Sequence, residues 1–98
     1  MKRPKYVDLK GLLSFQILHE LERKKLHGDK LAEIIGKRKG SKLTPGTIYP
    51  ALKKLRKLKL IQHKKKGRIK TYSITQKGKK EYNTSKKILK NLLKKILS

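Results

Sequence analysis

A mainly α fold with one small β-hairpin is the class this sequence predicts, and three observations predict it. Apolar residues recur at helical spacing over most of the chain. Between Leu60 and Thr75, apolar and β-branched residues stand on either side of "KKKG", which reads as a hairpin. The length of 98 residues suits one small domain with a modest core, and no internal repeat or second domain is visible.

The elements follow in order. Residues 1–7 read as a flexible basic arm. Asp8 can cap a helix starting at Leu9, in which Leu9, Leu12, Leu13, Ile17, Leu18 and Leu21 fall at helical spacing with Phe15 on a flank. "RKKLHG" is expected to end that helix, with cations in its last turn and Gly28 as the breaker. Gly28 or Asp29 then starts a second helix, whose apolar side is Leu31, Ala32, Ile34 and Ile35. "GKRKGSK" is a loop. "TPGTIYPALKKLRKLKL" is the third helix, and Thr75 can cap a last helix reaching almost to Ser98. Three helices, a hairpin and a helix around a basic centre is the order of a winged helix-turn-helix domain, whose third helix enters the major groove of DNA. The division expected is a basic arm (1–7), a winged helix-turn-helix DNA-binding domain (8–75) and a C-terminal dimerisation helix (76–98).

Charge points to the partner. Thirty Lys and Arg face six Asp and Glu, a net of +24. Residues 1–33 hold eight basic and five acidic side chains, whereas residues 34–98 hold 22 basic and one acidic, Glu81. A segment so one-sided repels itself unless a polyanion lies against it. Double-stranded DNA is the first candidate and an anionic membrane surface the second. A lysine-rich composition imposed by habitat would explain the lysines but not the missing carboxylates, because thermophilic surfaces mix both signs. Without cysteine there is no disulfide framework and no Cys-based zinc site. With no apolar run near the ~18 residues of a membrane span and no signal-peptide core, a cytoplasmic, nucleoid-associated protein is expected.

Catalysis has little support. Ser14 and His19 share one helix, but no acid completes a triad. His27 and His63 are isolated, so no metal is expected, and no glycine-rich loop matches a nucleotide-binding pattern, so no cofactor is expected either.

The start of the third helix holds two prolines and a glycine, residues that usually break helices. Pro45 can sit at the first helical position behind a Thr44 cap, where no amide hydrogen is needed. Gly46 lets backbone approach a phosphate or base edge, and Thr47 offers a short hydroxyl beside a free N–H at a phosphate-favouring helix terminus. Pro50 is accommodated most cheaply if the first turn is distorted and regular helix starts near Thr47. Ile48, Leu52 and Leu55 then face the core. Thr47, Tyr49 and Lys53 are expected in the groove. Lys54 and Arg56 are expected on phosphates, with Lys42, Thr44, Gly46 and Lys57 completing the surface. The competing readings are Tyr49 as a structural aromatic packed on the wing, and the lysines as a solvated face. In the hairpin, Lys64, Lys65, Lys66, Arg68 and Lys70 form a second DNA contact, Gly67 is the turn residue, and Ile61, Ile69, Tyr72 and Ile74 read as core or sheet.

Several of these segments carry a family resemblance. "LHG" (26–28), "GTIYPALKKL" (46–55), "LI" (60–61), "GRIKTYSIT" (67–75) and "KG" (77–78) stand in the order and spacing of the PadR family of winged-helix transcriptional regulators, which the chain resembles from about Leu9 to Tyr82. The resemblance implies a homodimer on a near-palindromic operator, usually acting as a repressor, with the single C-terminal helix packing across the dimer. A small-molecule effector is left open by it. The chain departs from the family pattern at Asp29, where an aromatic often follows His-Gly, and at Lys59, where a turn glycine is common. It also lacks the tryptophan with which some small members stack flat aromatic drugs. A non-specific architectural nucleic-acid-binding protein built on the same winged helix is the alternative function.

The last helix, "SKKILKNLLKKILS", places Ile88, Leu89, Leu92, Leu93, Ile96 and Leu97 on one stripe. Together with Leu12, Phe15 and Tyr82, this stripe is expected at a dimer seam, packed against the partner's first helix because two lysine-flanked helices side by side would repel. Intramolecular core and membrane-surface helix are the alternatives. The absence of Trp and Phe anchors argues against the membrane.

Overall fold

The computed structural model describes residues 9–38 and 40–98; the expected basic arm and the Asp8 cap lie outside them. Four helices and three strands follow in the order α1 (Leu9–Arg23), β1 (Leu26–His27), α2 (Gly28–Lys37), α3 (Pro45–Lys57), β2 (Ile61–Lys66), β3 (Ile69–Ile74) and α4 (Gln76–Leu97). The sheet is antiparallel in the order β1-β3-β2. The architecture is the mainly helical winged helix read from the sequence, with one more strand.

That strand corrects the end of the first helix. α1 stops at Arg23, and Leu26 and His27 pair with Tyr72 and Thr71 of β3. Leu26 turns inward and is buried, while His27 stays exposed and its Nδ1 lies 3.2 Å from the Thr71 hydroxyl. A two-residue strand is too short to show an alternating pattern, so it is visible only once β3 is in place.

One core joins all the elements. Ile17, Leu18 and Leu21 of α1, Leu31, Ala32 and Ile35 of α2, Ile48, Leu52 and Leu55 of α3, and Leu60, Ile61, Tyr72 and Tyr82 are all buried. α1 is the hub, packing against α2, α3, α4 and β3. Tyr82 ties α4 to it. Its ring stacks on Phe15 with centroids 5.2 Å apart, and its hydroxyl and His19 Nδ1 share a hydrogen bond of 2.7 Å. Burial, reinforced by Glu22 and Glu20, raises the Tyr82 phenol above its usual pKa of 10.0. At 2% exposure Tyr82 has no surface to give to a second chain, so it leaves the expected dimer seam and joins the core. Phe15, which it covers, is partly buried in the same packing.

The end of α3 and the start of α4 interlock through backbone. The N–H of Leu60 donates to Leu55 O at 3.0 Å, and that of Lys59 to Arg56 O at 2.9 Å. This pair of bonds is a Schellman motif, which places its C′ residue in the left-handed region. Lys59 accordingly has φ = 61°, at the position where the sequence lacks the family's glycine. The Thr75 hydroxyl donates to Lys59 O at 2.7 Å and accepts from Gly78 N at 3.0 Å, capping α4. A Cβ on Gly78 would stand 2.0 Å from Leu60 O, so only glycine lets α4 sit this close to the turn. "LI", "SIT" and "KG" are therefore three parts of one joint.

Candidate nucleic-acid interface

α3 begins at Pro45, two residues earlier than the start expected for its regular part. Thr44 has the extended backbone of a helix cap, and its carbonyl accepts from Thr47 N at 3.0 Å and Ile48 N at 3.1 Å. Its side chain makes no capping bond; the Thr44 and Thr47 hydroxyls bond each other at 3.0 Å instead. Pro50 therefore lies within the helix. It has no N–H to offer the Gly46 carbonyl, four residues back. The first turn thus exposes Thr44, Pro45, Gly46 and Thr47 together.

Beyond that turn, Ile48, Leu52 and Leu55 anchor the helix in the core, as its periodicity predicts. Tyr49, Lys53, Lys54, Arg56 and Lys57 are left outside. Tyr49 is 44% exposed, and its ring lies over Gly28 at the start of α2, where an added Cβ would be 3.0 Å from its Cε1. It combines a structural contact with an open face. It is packed on α2 rather than on the wing alone, and it lines an open cleft of about 470 Å³ with His27, Asp29, Arg68, Lys70 and Tyr72. On its other flank, α3 and β2 enclose a cleft of about 590 Å³ lined by Lys53, Arg56, Lys57, Lys59, Gln62 and His63. Lys59 belongs to this cationic surface, although sequence reasoning did not place it there; its signal was the missing turn glycine.

The hairpin closes with Lys66 opposite Ile69 and Gly67 at φ = 63°. Lys64, Lys65, Lys66, Arg68 and Lys70 are all exposed, and Lys65 stands directly opposite Lys70. Like charges paired across a ladder destabilise it unless an external anion intervenes. Ile69, expected in core or sheet, lies in the sheet but is 53% exposed, because the tip projects beyond the helices it would pack on. His63 faces Tyr72 edge-on with centroids 5.4 Å apart, and its buried Nδ1 has no partner. Desolvation, then Arg56, Lys70 and Lys65, lower its pKa below the usual 6.5.

Among the described residues, ion pairs involve only the carboxylates of α1 and α2. Glu20 pairs with Arg38, Asp29 with Lys42 at 2.6 Å, and Glu33 with Lys30 at 3.4 Å. Lys42, grouped in sequence with the DNA contacts, is therefore held by Asp29, which also raises its pKa. Among the described residues, no cation after Lys42 has a carboxylate partner. The surface made by α3 and the hairpin is uncompensated positive charge beside a helix N-terminus, an arrangement that attracts phosphates. Among the described residues there is no group of three metal-ligating side chains, and no helix is long and apolar enough to cross a membrane.

A comparison with curated proteins gave no match. The model of the transcriptional regulator PadR-like family matches residues 17–84. Among solved structures, a Thermoplasma acidophilum protein assigned as a transcriptional regulator is 30% identical with a TM-score of 0.80, over 91% of this chain and 89% of its own. A PadR-like transcriptional regulator of Bacillus cereus is 28% identical with a TM-score of 0.77, over 92% and 95%. Bacillus subtilis PadR, solved in complex with operator DNA, is 26% identical with a TM-score of 0.65, over 74% of this chain and 45% of its own. PadR-family regulators are non-enzymatic DNA-binding proteins, in keeping with the lack of a catalytic constellation in the sequence. Sequence motifs, fold and family match agree, and this chain belongs to the PadR-like family of transcriptional regulators.

Proposed function

We propose that the protein is a homodimeric repressor that binds a near-palindromic operator. The N-terminal turn of α3 lies in the major groove and the wing grips flanking phosphates. The observation that carries this reading is the joint exposure of Thr44, Gly46 and Thr47 at the start of α3, flanked by the unpaired cations of α3 and the hairpin. Thr47, Tyr49 and Lys53 read base edges; Lys54, Arg56, Lys57 and the wing residues Lys64, Lys65, Lys66, Arg68 and Lys70 hold phosphate. That the Bacillus subtilis relative was solved in complex with operator DNA supports operator binding by this chain.

The dimer is built on α4. Ile88, Leu93, Ile96 and Leu97 are 42%, 45%, 66% and 78% exposed, and Leu89 and Leu92 are half-buried between them. A contiguous apolar stripe of this kind is costly to leave in water. With Leu12 and Phe15 of α1, both incompletely covered, it forms the seam, and residues 76–98 act as the dimerisation helix while residues 8–75 bind DNA.

Thr47→Ala and Lys53→Ala, measured on the selected operator and on random duplex, test the assignment. Each base-reading side chain is worth ~1–3 kcal/mol at the operator. Loss at the operator with little change on random DNA supports the reading. Equal loss on both makes these residues phosphate contacts and favours a non-specific architectural protein.

A further inference from the structure

α4 carries more charge than recognition by α3 and the wing uses. Eight lysines and one acid, Glu81, lie between Gln76 and Leu97. The helix buries Gly78, Tyr82 and Ser85 and half-buries Leu89 and Leu92, which marks the side turned to the rest of the domain, with Gly78 against Leu60 and Ile74 and Tyr82 against Phe15 and His19 of α1. At 3.6 residues per turn, Lys80, Lys87, Lys90 and Lys94 fall on the opposite side. All four are exposed, with no carboxylate partner among the described residues. Lys86 and Lys90, and Lys90 and Lys94, are like-charged pairs four residues apart, which weaken a helix.

This ridge is not an extension of the surface on α3. α4 packs on α1, and α1 in turn packs on α3. Its first turn reaches the end of α3, where Lys77 Nζ donates to Leu58 O at 3.0 Å. From there the 22-residue helix runs on for ~33 Å. The ridge lies on the side of α4 opposite Tyr82, which packs on the hub helix.

We propose that the α4 ridge is a second DNA-binding surface, which holds the phosphates of another duplex segment without reading its sequence. One dimer then grips its operator through α3 and the wing and draws a second stretch of DNA against its back. Lysines suit this task, being point charges without the bidentate fork that recognises a base edge. A lipid surface fits less well. A membrane-bound amphipathic helix buries its apolar side in the bilayer, whereas here Tyr82 is buried against α1 and the exposed residues Ile88, Leu93, Ile96 and Leu97 are taken by the dimer seam proposed above. The inference rests on the DNA-binding reading above for the first duplex only.

The test is co-capture. Bead-tethered operator duplex is loaded with full-length protein, and a fluorescent duplex of unrelated sequence is added. Wild type should retain the second duplex. Replacing Lys80, Lys87, Lys90 and Lys94 by Gln should cut that retention more than tenfold while operator affinity stays within about twofold. The corresponding Arg variant should restore it, which excludes a folding defect. Bridging that survives the Gln replacements means the two recognition surfaces of the dimer hold the two duplexes, and overturns the proposal. So does wild type that retains no second duplex, or a ridge that instead carries binding to vesicles of anionic phospholipid. A Thr47→Ala, Lys53→Ala variant that loses the operator yet still binds unrelated duplex through the ridge isolates failure at α3 from failure at α4.

Discussion

Replacing Gly46 with alanine adds a methyl group where the chain itself has room for one. Beyond its chain neighbours and its own helix backbone, no heavy atom lies within 4 Å of the position the Cβ would take, and the residue stands in the first turn of α3. For the isolated protein the change is favourable, since alanine in a helix is better than glycine by roughly 0.5–1 kcal/mol. A chain of this size should melt a few degrees higher, at roughly 4 °C per kcal/mol or more. Binding should respond in the opposite sense. If duplex backbone or a base edge packs on the first turn of α3, the methyl pushes it away from the Gly46 N–H and the Thr47 hydroxyl; the Thr47 N–H, expected free, already donates to Thr44 O. Losing one charge-assisted hydrogen bond costs ~1.5–3 kcal/mol, or roughly 10- to 100-fold in affinity. Thermal melts and fluorescence anisotropy on the operator measure the two effects. A variant that is more stable and binds as well as wild type would refute the placement of this turn against DNA.

Three further outcomes follow from the geometry. Changing Lys65, Lys66 and Arg68 to Gln should lower the slope of log K against log salt by up to about 2.7 per half-site, at ~0.9 per phosphate contact, on operator and random DNA alike; an unchanged slope would remove the wing from the phosphate contacts. Lys59→Gly should stabilise the protein by ~1 kcal/mol in urea melts, because it relieves a side chain held at φ = 61° in the Schellman turn; no gain would mean the turn carries no strain. His63 is held neutral by desolvation and by Arg56, Lys70 and Lys65, so its folded pKa lies below 6.5. Its contribution to stability is then complete above pH 6.5 and is lost as pH falls through the folded value. The difference in stability between wild type and His63→Phe should shift accordingly across that window, and an identical pH dependence in both would remove His63 as the titrating group.

Much of the fold was legible because the signals are local. The 3.6-residue spacing of Ile48, Leu52 and Leu55 gives the inner face of α3, Thr75 three residues before Gly78 gives the α4 cap, and Gly67 gives the hairpin tip. What was hidden depends on partners distant in sequence. Leu26 becomes a strand residue only beside Tyr72. Tyr82 fits a dimer seam by spacing, yet its ring is taken by Phe15 and its hydroxyl by His19, 63 residues away. Lys42 looks like one more free cation until Asp29 is brought to it across the fold. Pro50 suggested a late start for regular helix, but the Thr44 carbonyl accepts two amides and begins the helix at Pro45. On the candidate interface the sequence named most of the exposed cations. It could not separate groove from phosphate contacts, because both are side chains on one exposed helix face.

Selection of binding sites from random duplex DNA by the purified protein at near-physiological salt addresses the central claim most directly. The account predicts enrichment of a palindrome whose half-sites lie about one helical turn apart, protected by one dimer. Recovery of no common sequence, with binding that collapses as salt rises, would contradict it and leave α3 as scaffold for a charge-driven DNA coat.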